Sequence, residues 1–405
     1  MRIFFSVGEP SGDLHASNLI RILRQEVPNL DTVGYGGPKM QAAGCELHFD
    51  LTQLAVMFIG AVLGYLRKFL GLIADADRYF ASNQVDAVVL VDYPGLNWWI
   101  ARKARKHNIP VFYYGVPQMW AWAPWRISKI RKFVDHVICK LPFEQKWFAD
   151  RGCKAHYVGH PYFDQMVTQE LDHEFVNSQS RTDHSSNPLV LLLPGSRKLE
   201  LQRNLDILID SANSIREKHP QARFAMGCYD QNHLEFVLPK CSDAGIEAYA
   251  GKTQELMTQS SACIACSGSV SLELLHHRIP TVVVYNIGLV KYIVQIFVLQ
   301  CKFITLPNLM NAADIKKTKW LPFNPDAPNG EPVLMPEYLT WRNPAARVAQ
   351  HIARWLGSAQ ELEQKKTELD QLASQYAKPG ATRAAATYII EQLHSDTNEI
   401  STVAA

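Results

Sequence analysis

A short apolar run, then turn residues, then a segment with helical periodicity recurs along the chain, and this repeat constrains the fold more than any other feature. Residues 3–7 (IFFSV), 86–91 (DAVVLV) and 189–193 (LVLLL) are three such runs, each followed by a turn containing Gly or Pro. Apolar strands that alternate with helices are typical of parallel sheets covered on both faces. The sequence therefore predicts an α/β fold with two doubly wound, Rossmann-like parallel sheets.

The domain division follows from where this repeat is interrupted. The polar stretch 168–188 lacks apolar periodicity, and we interpret it as a linker between an N-terminal α/β domain (1–167) and a C-terminal one (189–343). Helical periodicity returns over 344–395, which we expect to pack back across the domains, and 396–405 is a tail. Doubly wound sheets bind ligands beyond the carboxyl ends of their strands, so functional residues are expected in those loops.

Composition and cysteine usage exclude several classes of protein. Lys and Arg number 41 and Asp and Glu 39, which gives a net charge of +2 and argues against a nucleic-acid partner. Cys263 and Cys266 form a lone C-x-x-C without a second ligand pair at zinc spacing, so the eight cysteines are interpreted as buried cytoplasmic thiols. The first apolar run has five residues, whereas a secretory signal needs about 7–15.

Two longer apolar stretches require a membrane test. Residues 54–73 carry Arg67 and Lys68, and residues 289–301 would form about 20 Å of helix against a hydrocarbon core of roughly 30 Å. Neither is a good membrane span. Two interpretations stay open: core helices, or helices on a membrane surface with Arg67, Lys68 or Lys291 at the headgroups.

The loops after the predicted strands carry short motifs in a characteristic order. Residues 8–13 (GEPSGD) follow the first strand and resemble the GE-x-SGD signature of the lipid-A-disaccharide synthases, inverting GT-B glycosyltransferases of glycosyltransferase family 19. Further motifs resemble that family over about residues 1–310: 36–40 (GGPKM), 92–97 (DYPGLN), 117–122 (PQMWAW), 141–144 (LPFE), 158–161 (VGHP), 193–197 (LPGSR), 267–273 (SGSVSLE) and 306–308 (LPN).

The resemblance implies a reaction and its partners. The family joins UDP-2,3-diacylglucosamine to 2,3-diacylglucosamine 1-phosphate through a β-1′,6 link, with inversion and release of UDP, in lipid A biosynthesis. It implies no metal and no cofactor, and a cytoplasmic enzyme peripherally associated with the inner membrane. The oligomeric state stays open, a homo-oligomer included.

The acceptor side of the predicted site centres on Asp92, at the end of the strand 86–91. A carboxylate there can cap a helix or act as a general base, and the resemblance aligns it with an essential family aspartate, as base or positioner. The signature loop adds candidate acceptor-binding or loop residues: Gly8, Glu9, Ser11, Gly12 and Asp13. Ser11 and Asp13 could instead cap the helix predicted over residues 14–25.

The UDP-sugar-binding candidates lie in the second domain: Arg197, Ser267, Gly268, Ser269, Glu273 and Asn308. Arg197 stands where a turn opens a helix, so guanidinium and helix N-terminus suit a diphosphate, although a surface arginine is the alternative. The Ser-Gly-Ser turn could donate to phosphate. Glu273 could accept from ribose hydroxyls or complement a helix dipole. The resemblance implies a donor-site role for Arg197, Glu273 and Asn308.

Other residues keep two interpretations. His160 could carry a proton or be structural, and Trp120, Trp122 and Trp125 could be core or line the entry of the acceptor. The D-x-D at residues 75–77 is interpreted as a solvated helix face, because it lies in a helical segment and not in a loop after a strand.

Several positions depart from the family pattern. Phe58, Ala61 and Val116 replace a glycine, a glutamate and a serine, and residues 311–336 replace the usual Gly-x-Arg and a shorter path. The departures keep two alternatives open: a GT-B glycosyltransferase with a different lipid acceptor or UDP-sugar donor, and a non-catalytic protein that binds a membrane surface.

Overall fold

The computed structural model describes residues 1–53, 62–180, 187–317, 321–327 and 333–403. The chain divides into two compact units. The first unit comprises Met1–Gln165 and Lys378–Ala405, and the second comprises Met166–Ala377.

The first unit is built on a parallel sheet. Its described strands are β1 (Arg2–Val7), β2 (Asp31–Gly36), β3 (Glu46–Asp50), β4 (Ala87–Val91), β5 (Val111–Tyr114), β6 (His136–Cys139) and β7 (Ala155–Tyr157). They are ordered β3-β2-β1-β4-β5-β6-β7, and every pairing is parallel. All five residues of β4 are buried, which is why this strand reads as a continuous apolar run.

Helices cover both faces of this sheet. They are α1 (Pro10–Glu26), α2 (Pro38–Ala42), α3 (Val62–Ser82), α4 (Pro94–Lys106), α5 (Met119–Trp122), α6 (Ile127–Phe133), α7 (Pro142–Ala149) and α8 (Tyr162–Thr168), with a 3-10 turn at Pro124–Arg126. Successive side chains of β1 serve the two cores: Phe4 lies in one, Ile3 and Phe5 in the other.

The second unit repeats this plan with a parallel sheet. Its described strands are β8 (Leu189–Leu193), β9 (Arg223–Cys228), β10 (Glu247–Ala250), β11 (Ala262–Cys266), β12 (Thr281–Asn286) and β13 (Glu337–Thr340). They are ordered β10-β9-β8-β11-β12-β13. The helices are α9 (His173–Ser180), α10 (Lys198–Lys218), α11 (Gln231–Asp243), α12 (Thr253–Gln259), α13 (Val270–His276), α14 (Leu289–Val298), α15 (Leu306–Asn311), α16 (Ala345–Gly357) and α17 (Ala359–Tyr376).

The last helix, α18 (Ala381–Val403), belongs to the first unit. It packs on α1 and contributes Ala385, Ala386 and Ile389 to the core that contains Ile3 and Phe5. The first unit is therefore assembled from two parts of the chain, one on each side of the second unit in sequence.

The doubly wound parallel sheets predicted from the sequence are confirmed, with two local differences. The first helix begins at Pro10 and not at residue 14, because proline at the first helical position has a suitable φ and lacks an N–H group that would need a partner. Helix α9 occupies part of the polar stretch 168–188, where Gln179 is buried and bonds Tyr249 and Arg223. Residues 181–186 of that stretch lie outside the described residues.

The attachment of α18 can be tested at Asp164, whose carboxylate accepts from the N–H groups of Gly380 and Thr382 and from the Thr382 hydroxyl. We expect Asp164→Ala to lower the free energy of unfolding by about 1 kcal/mol, because the start of α18 loses its cap. Urea unfolding measures this. The control is Asp150→Ala, which removes only an exposed ion pair with Lys146 and should cost less than about 0.5 kcal/mol. Equal losses in the two variants would contradict the assignment.

Candidate functional site

Asp92 directly follows β4 in a strained turn. Asp92 and Tyr93 have φ values of 45° and 40°, a left-handed conformation that is uncommon for residues other than glycine. The backbone carbonyl of Asp92 accepts hydrogen bonds from Asn97 Nδ2 at 2.8 Å and from the Tyr113 hydroxyl at 2.7 Å. Because these bonds hold the backbone, the turn presents the Asp92 carboxylate in a fixed place at the carboxyl edge of the sheet.

The loops after β1 and β4 lie against each other. A Cβ atom added at Gly8 would lie 2.2 Å from the ring of Tyr93, and one added at Gly12 would lie 3.0 Å from Val7 and 3.8 Å from Asp92 Oδ2. The close approach of the Asp92 turn therefore requires glycine at position 8, whereas Gly12 is limited mainly by Val7.

Asp13 is held by the fold. Its buried carboxylate accepts hydrogen bonds of 3.0 Å from the backbone N–H groups of Gly37, Lys39 and Met40. It thereby caps α2, although it belongs to the first turn of α1. The other two polar side chains of the signature loop, Glu9 and Ser11, are exposed.

Lys140 is a neighbour of Asp92 that the sequence analysis missed. Its Nζ lies 3.5 Å from Asp92 Oδ1, and both side chains are largely buried. The buried Glu144 fixes the turn that carries it, since Glu144 Oε2 accepts from the N–H groups of Lys140 and Leu141 at 3.0 Å and Oε1 accepts from the Trp120 indole at 3.0 Å. The signal that was available is a lysine directly after the apolar run 136–139, at the same predicted sheet edge as Asp92.

Two histidines near Lys140 are uncharged at neutral pH. Burial, followed by the charge of Lys140, lowers the pKa of His15 to about 3 and holds the pKa of His160 well below its ordinary value. His160 Nδ1 accepts from the Tyr162 N–H at 3.3 Å. The imidazole of His160 therefore serves the local structure as a neutral group and is a weak base.

The aromatic cluster and the D-x-D divide between surface and interior. Trp120 is buried, whereas Trp122 and Trp125 are exposed.

The solvated-face interpretation of the D-x-D is wrong for Asp77. This residue is 20% exposed and pairs with Lys103 at 2.6 Å, and with Lys106 and His107. The hydrogen bond from Lys103, followed by the one from His107, holds the pKa of Asp77 well below its usual range.

In the second unit, the loops after β8 and β11 meet at the carboxyl edge of the sheet. Gly195 has a φ of 109°, and a Cβ atom there would lie 3.2 Å from Cys266 Sγ. Arg197 precedes α10, and its side chain is 79% exposed, with its guanidinium 2.9 Å from Glu200 Oε1. The loop contact brings Arg197 to the side of the sheet where residues 267–269 leave β11.

The Ser-Gly-Ser turn is hydrogen-bonded to the loop before α15, whereas Glu273 is hydrogen-bonded to α12. Ser267 Oγ donates to the carbonyl of Ile304 at 3.3 Å, and the position of a Cβ atom at Gly268 is open. Glu273 is buried and accepts from the amide of Gln254, whose Oε1 lies 3.2 Å from His277 Nε2. Burial, followed by the charge of a neighbouring histidine, lowers the pKa of His277 to about 4.

Asn308 lies in a buried polar network around Glu337. Its Nδ2 donates to Thr305 Oγ1 (3.0 Å), the Met335 carbonyl (2.7 Å) and Glu337 Oε2 (3.0 Å), while its Oδ1 accepts from the Met335 N–H (3.0 Å). Glu337 also accepts from the N–H groups of Ile304 and Thr305. The amide of Asn308 is thus bonded within the fold, where it fixes the loop that precedes α15.

Surface apolar groups concentrate on α14, in which every residue is at least partly exposed. Six apolar side chains are 40–77% exposed: Leu289, Val290, Ile293, Val294, Phe297 and Val298. Their spacing puts them on one side of the helix.

In the other apolar stretch, Leu66 and Leu70 of α3 are exposed, and residues 54–61 lie outside the described residues. Across the described parts of the chain, no helix is both long enough and apolar enough to cross a membrane.

The positions that depart from the family pattern are only partly described. Val116 is buried in the core of the first unit, whereas Phe58 and Ala61 lie outside the described residues. In residues 311–336, Lys316 pairs with Cys301 in an antiparallel bridge, and Lys317 Nζ donates to the carbonyl of Ile296 at 2.7 Å. Residues 318–320 and 328–332 are not among those described.

Metal-ligating side chains are dispersed. Within the described ranges, no three His, Cys, Asp or Glu residues come together as a set that could hold a metal ion. Burial raises the pKa of the Cys266 thiol to about 12 and that of the Cys263 thiol well above its ordinary value. Both therefore remain protonated and unreactive at neutral pH.

The amino-acid sequence of the chain is similar to those of known proteins of one family. Residues 3–321 match the protein family described as lipid-A-disaccharide synthetase. The lipid-A-disaccharide synthase of Myxococcus xanthus is 29% identical over 396 residues, which cover 97% of each chain.

Solved structures with low sequence identity share the fold. The UDP-GlcNAc 2-epimerase from Neisseria meningitidis, bound to UDP-GlcNAc, aligns with a TM-score of 0.60 and 11% identity, over 98% of this chain and all of that chain. A calicheamicin glycosyltransferase aligns with a TM-score of 0.58 and 11% identity, over 97% of this chain and 98% of that chain. These likenesses show the GT-B type of fold, with two Rossmann-like sheets.

The Glu337 network predicts a pH dependence of stability. Burial raises the pKa of Glu337 to about 7 in the folded protein, above its ordinary value of 4.5. Between these values the folded chain binds a proton that the unfolded chain has lost. The free energy of unfolding should therefore fall by at most about 3 kcal/mol as pH rises between the two pKa values. Above the higher pKa it should level off.

Urea unfolding of Glu337→Gln between pH 5 and 8 measures this effect. The amide cannot ionise, so we expect the variant to lose about 1–3 kcal/mol less than the parent as pH rises, even if it is less stable at every pH. Glu391→Gln, on α18, is the matched control and should follow the parent. Parallel curves for the parent and Glu337→Gln would contradict the prediction.

Proposed function

We propose that this chain, which belongs to the lipid-A-disaccharide synthetase family, forms the lipid A disaccharide from UDP-2,3-diacylglucosamine and 2,3-diacylglucosamine 1-phosphate. The observation that carries the proposal is the strained turn that presents the Asp92 carboxylate at a sheet edge, in a chain matched to the family over residues 3–321. Structural strain of this kind is concentrated at functional sites.

Asp92 takes the proton of the acceptor in this proposal. The acceptor 6-hydroxyl oxygen attacks C1 of the donor sugar, a new C1–O bond forms, and the bond from C1 to the diphosphate breaks. UDP leaves with the electron pair, the configuration at C1 inverts, and the hydroxyl proton passes to the Asp92 carboxylate. The backbone bonds from Asn97 and Tyr113 support this role, because they hold the residue through its carbonyl and not through its carboxylate.

Arg197 stabilises the leaving diphosphate in this proposal. Its guanidinium is exposed at the start of α10, a helix of 21 residues, where the N–H groups and the helix dipole favour an anion. Glu200 steadies the guanidinium at 2.9 Å and is one turn away on the same helix. In the Ser-Gly-Ser turn on the neighbouring loop, the exposed Ser269 supplies a hydroxyl donor, and the open position at Gly268 leaves room for a phosphate.

Glu273 binds the ribose hydroxyls of UDP in this proposal. Gln254 donates to the Glu273 carboxylate and is itself in contact with His277, so the carboxylate is held in a connected network. A held carboxylate accepts from two neighbouring hydroxyls with little loss of side-chain freedom. Asn308 acts through the loop that it fixes, because its own amide is bonded within the fold.

Helix α14 docks on a membrane surface in this proposal, which accounts for acylated substrates. Its apolar stripe is exposed, and the exposed Lys291 stands on the same helix. Apolar side chains of an interfacial helix enter the acyl boundary, while a lysine favours anionic headgroups. The same surface would place the chain at the inner membrane, where its lipid substrates are soluble.

The chemical assignment is tested by Asp92→Asn. We expect the rate of UDP release with both lipids present to fall about 10²- to 10⁴-fold, because the neutral amide cannot take the acceptor proton. UDP release in detergent, with and without the acceptor, measures this. Asp150→Asn is the control, since Asp150 is a surface partner of Lys146. A turnover by Asp92→Asn equal to that of the control would refute the role of Asp92.

The membrane assignment is tested by the double variant Val290→Glu, Phe297→Glu, which puts two charges on the apolar stripe. We expect the fraction of protein that sediments with vesicles of phosphatidylethanolamine and phosphatidylglycerol to fall several-fold, since two apolar side chains that would enter the membrane are replaced by anions. Val167→Glu, at a valine that is 62% exposed on α8, is the matched control and should bind as the parent does. Binding of the double variant at the level of the control would count against α14.

A further inference from the structure

We propose that Lys140 is a positioning residue for Asp92, and that Gly115 is the glycine that lets the lysine reach it. The inference deepens the function proposed above and rests on it. It begins from three neighbouring strands, β4, β5 and β6, which are directly followed by Asp92, Gly115 and Lys140.

The strand register makes Gly115 the intervening residue. Val91 is level with Tyr114, and Tyr114 is level with Ile138, so Asp92 and Lys140 leave the sheet on either side of Gly115. Neighbouring strands are about 4.8 Å apart, so the lysine side chain must extend across β5 to approach the carboxylate. The observed distance from Lys140 Nζ to Asp92 Oδ1 is 3.5 Å.

A side chain at position 115 would occupy the path of the lysine. A Cβ atom there would lie 2.8 Å from Lys140 Nζ, 3.0 Å from Lys140 Cε and 3.4 Å from Asp92 Oδ1. Gly115 also has a φ of 66°, which disfavours other residues. The missing side chain therefore leaves the space in which the ammonium lies beside the carboxylate.

The surroundings strengthen the attraction between the Lys140 ammonium and the Asp92 carboxylate. The side chains of Lys140 and Asp92 are only 19% and 26% exposed, so water screens their interaction less than it would at the surface. Glu144 fixes the backbone of Lys140 from α7, and the neighbouring imidazoles of His15 and His160 are uncharged. The other titratable or charged groups around this cluster include Glu9, Lys39, Tyr93, Tyr113 and Tyr114.

A positive charge at this position restricts the orientation of a carboxylate that must accept a proton. This effect does not require contact between Lys140 and a substrate. Removal of the charge should therefore lower kcat more than it raises KM.

The test combines Lys140→Met, Gly115→Ala and the double variant, with Lys140→Arg as the conservative variant, measured as kcat and KM for UDP release. We expect Lys140→Met to lower kcat about tenfold with a change in KM below about twofold, and Lys140→Arg, which keeps a positive charge, to restore part of the lost kcat. Gly115→Ala should act in the same direction by displacing the ammonium. In the double variant the alanine should cost little beyond the loss from Lys140→Met, because the two changes remove one interaction.

Two controls separate this effect from general damage. Gly152→Ala introduces alanine at a φ of 76° where no atom lies within 4 Å of the new Cβ, so it reports backbone strain alone. Lys146→Met removes an exposed lysine of α7. If Lys140→Met matches Lys146→Met in kcat and in KM while Asp92→Asn is impaired, the inference is overturned and the proposed function stands.

A second measurement does not depend on the reaction. Crystal structures of the parent and of Gly115→Ala compare the distance from Lys140 Nζ to Asp92 Oδ1. We expect this distance to be longer in the variant, because the new Cβ atom takes space that the ammonium occupies in the parent. An unchanged distance would overturn the inference whatever the substrates prove to be, whereas failure of the parent to release UDP with both lipids would refute the proposed function alone.

Discussion

The first unit depends on one buried amide, that of Asn97. Its Nδ2 donates to the carbonyls of Ser6, Val91 and Asp92, and its Oδ1 accepts from the Ser6 hydroxyl at 2.7 Å. A single side chain from α4 thus joins the ends of β1 and β4 and holds the backbone of the Asp92 turn. Without it, three carbonyl groups would lose a donor, and a buried carbonyl left with no other partner costs on the order of 1–3 kcal/mol.

The second unit uses the same device in two places. Asn204, buried on α10, donates to the carbonyl of Pro194 and accepts from the N–H of Asn286, so the loops after β8 and β12 are tied to one helix. Asn308 and Glu337 tie the loop before α15 to the start of β13. Parallel sheets leave their loops as the variable part of the fold, and buried polar side chains make those loops rigid enough to position functional groups.

Features that depend on neighbouring residues in the sequence were predictable, whereas contacts between residues far apart in the sequence were not. Strands such as β4 were predictable, because a strand buried on both faces must be apolar throughout its length. Asp13 and Asn308 were predicted only as loop or site residues, since their partners lie at residues 37–40 and 335–337, and no local pattern shows them. Lys140 was missed for the same reason: its relation to Asp92 exists only through the strand order.

The position of α18 has a consequence for how the chain is made on the ribosome. The core face formed by Ile3 and Phe5 is covered partly by Ala385 and Ile389, which are synthesised more than 370 residues later. Nascent domains generally fold in the order of synthesis, yet here the second unit emerges complete while the first still lacks part of its cover. Ile3 and Phe5 are thus enclosed fully only after both sheets have been synthesised, and in the interval their apolar face is a surface on which chaperones can act.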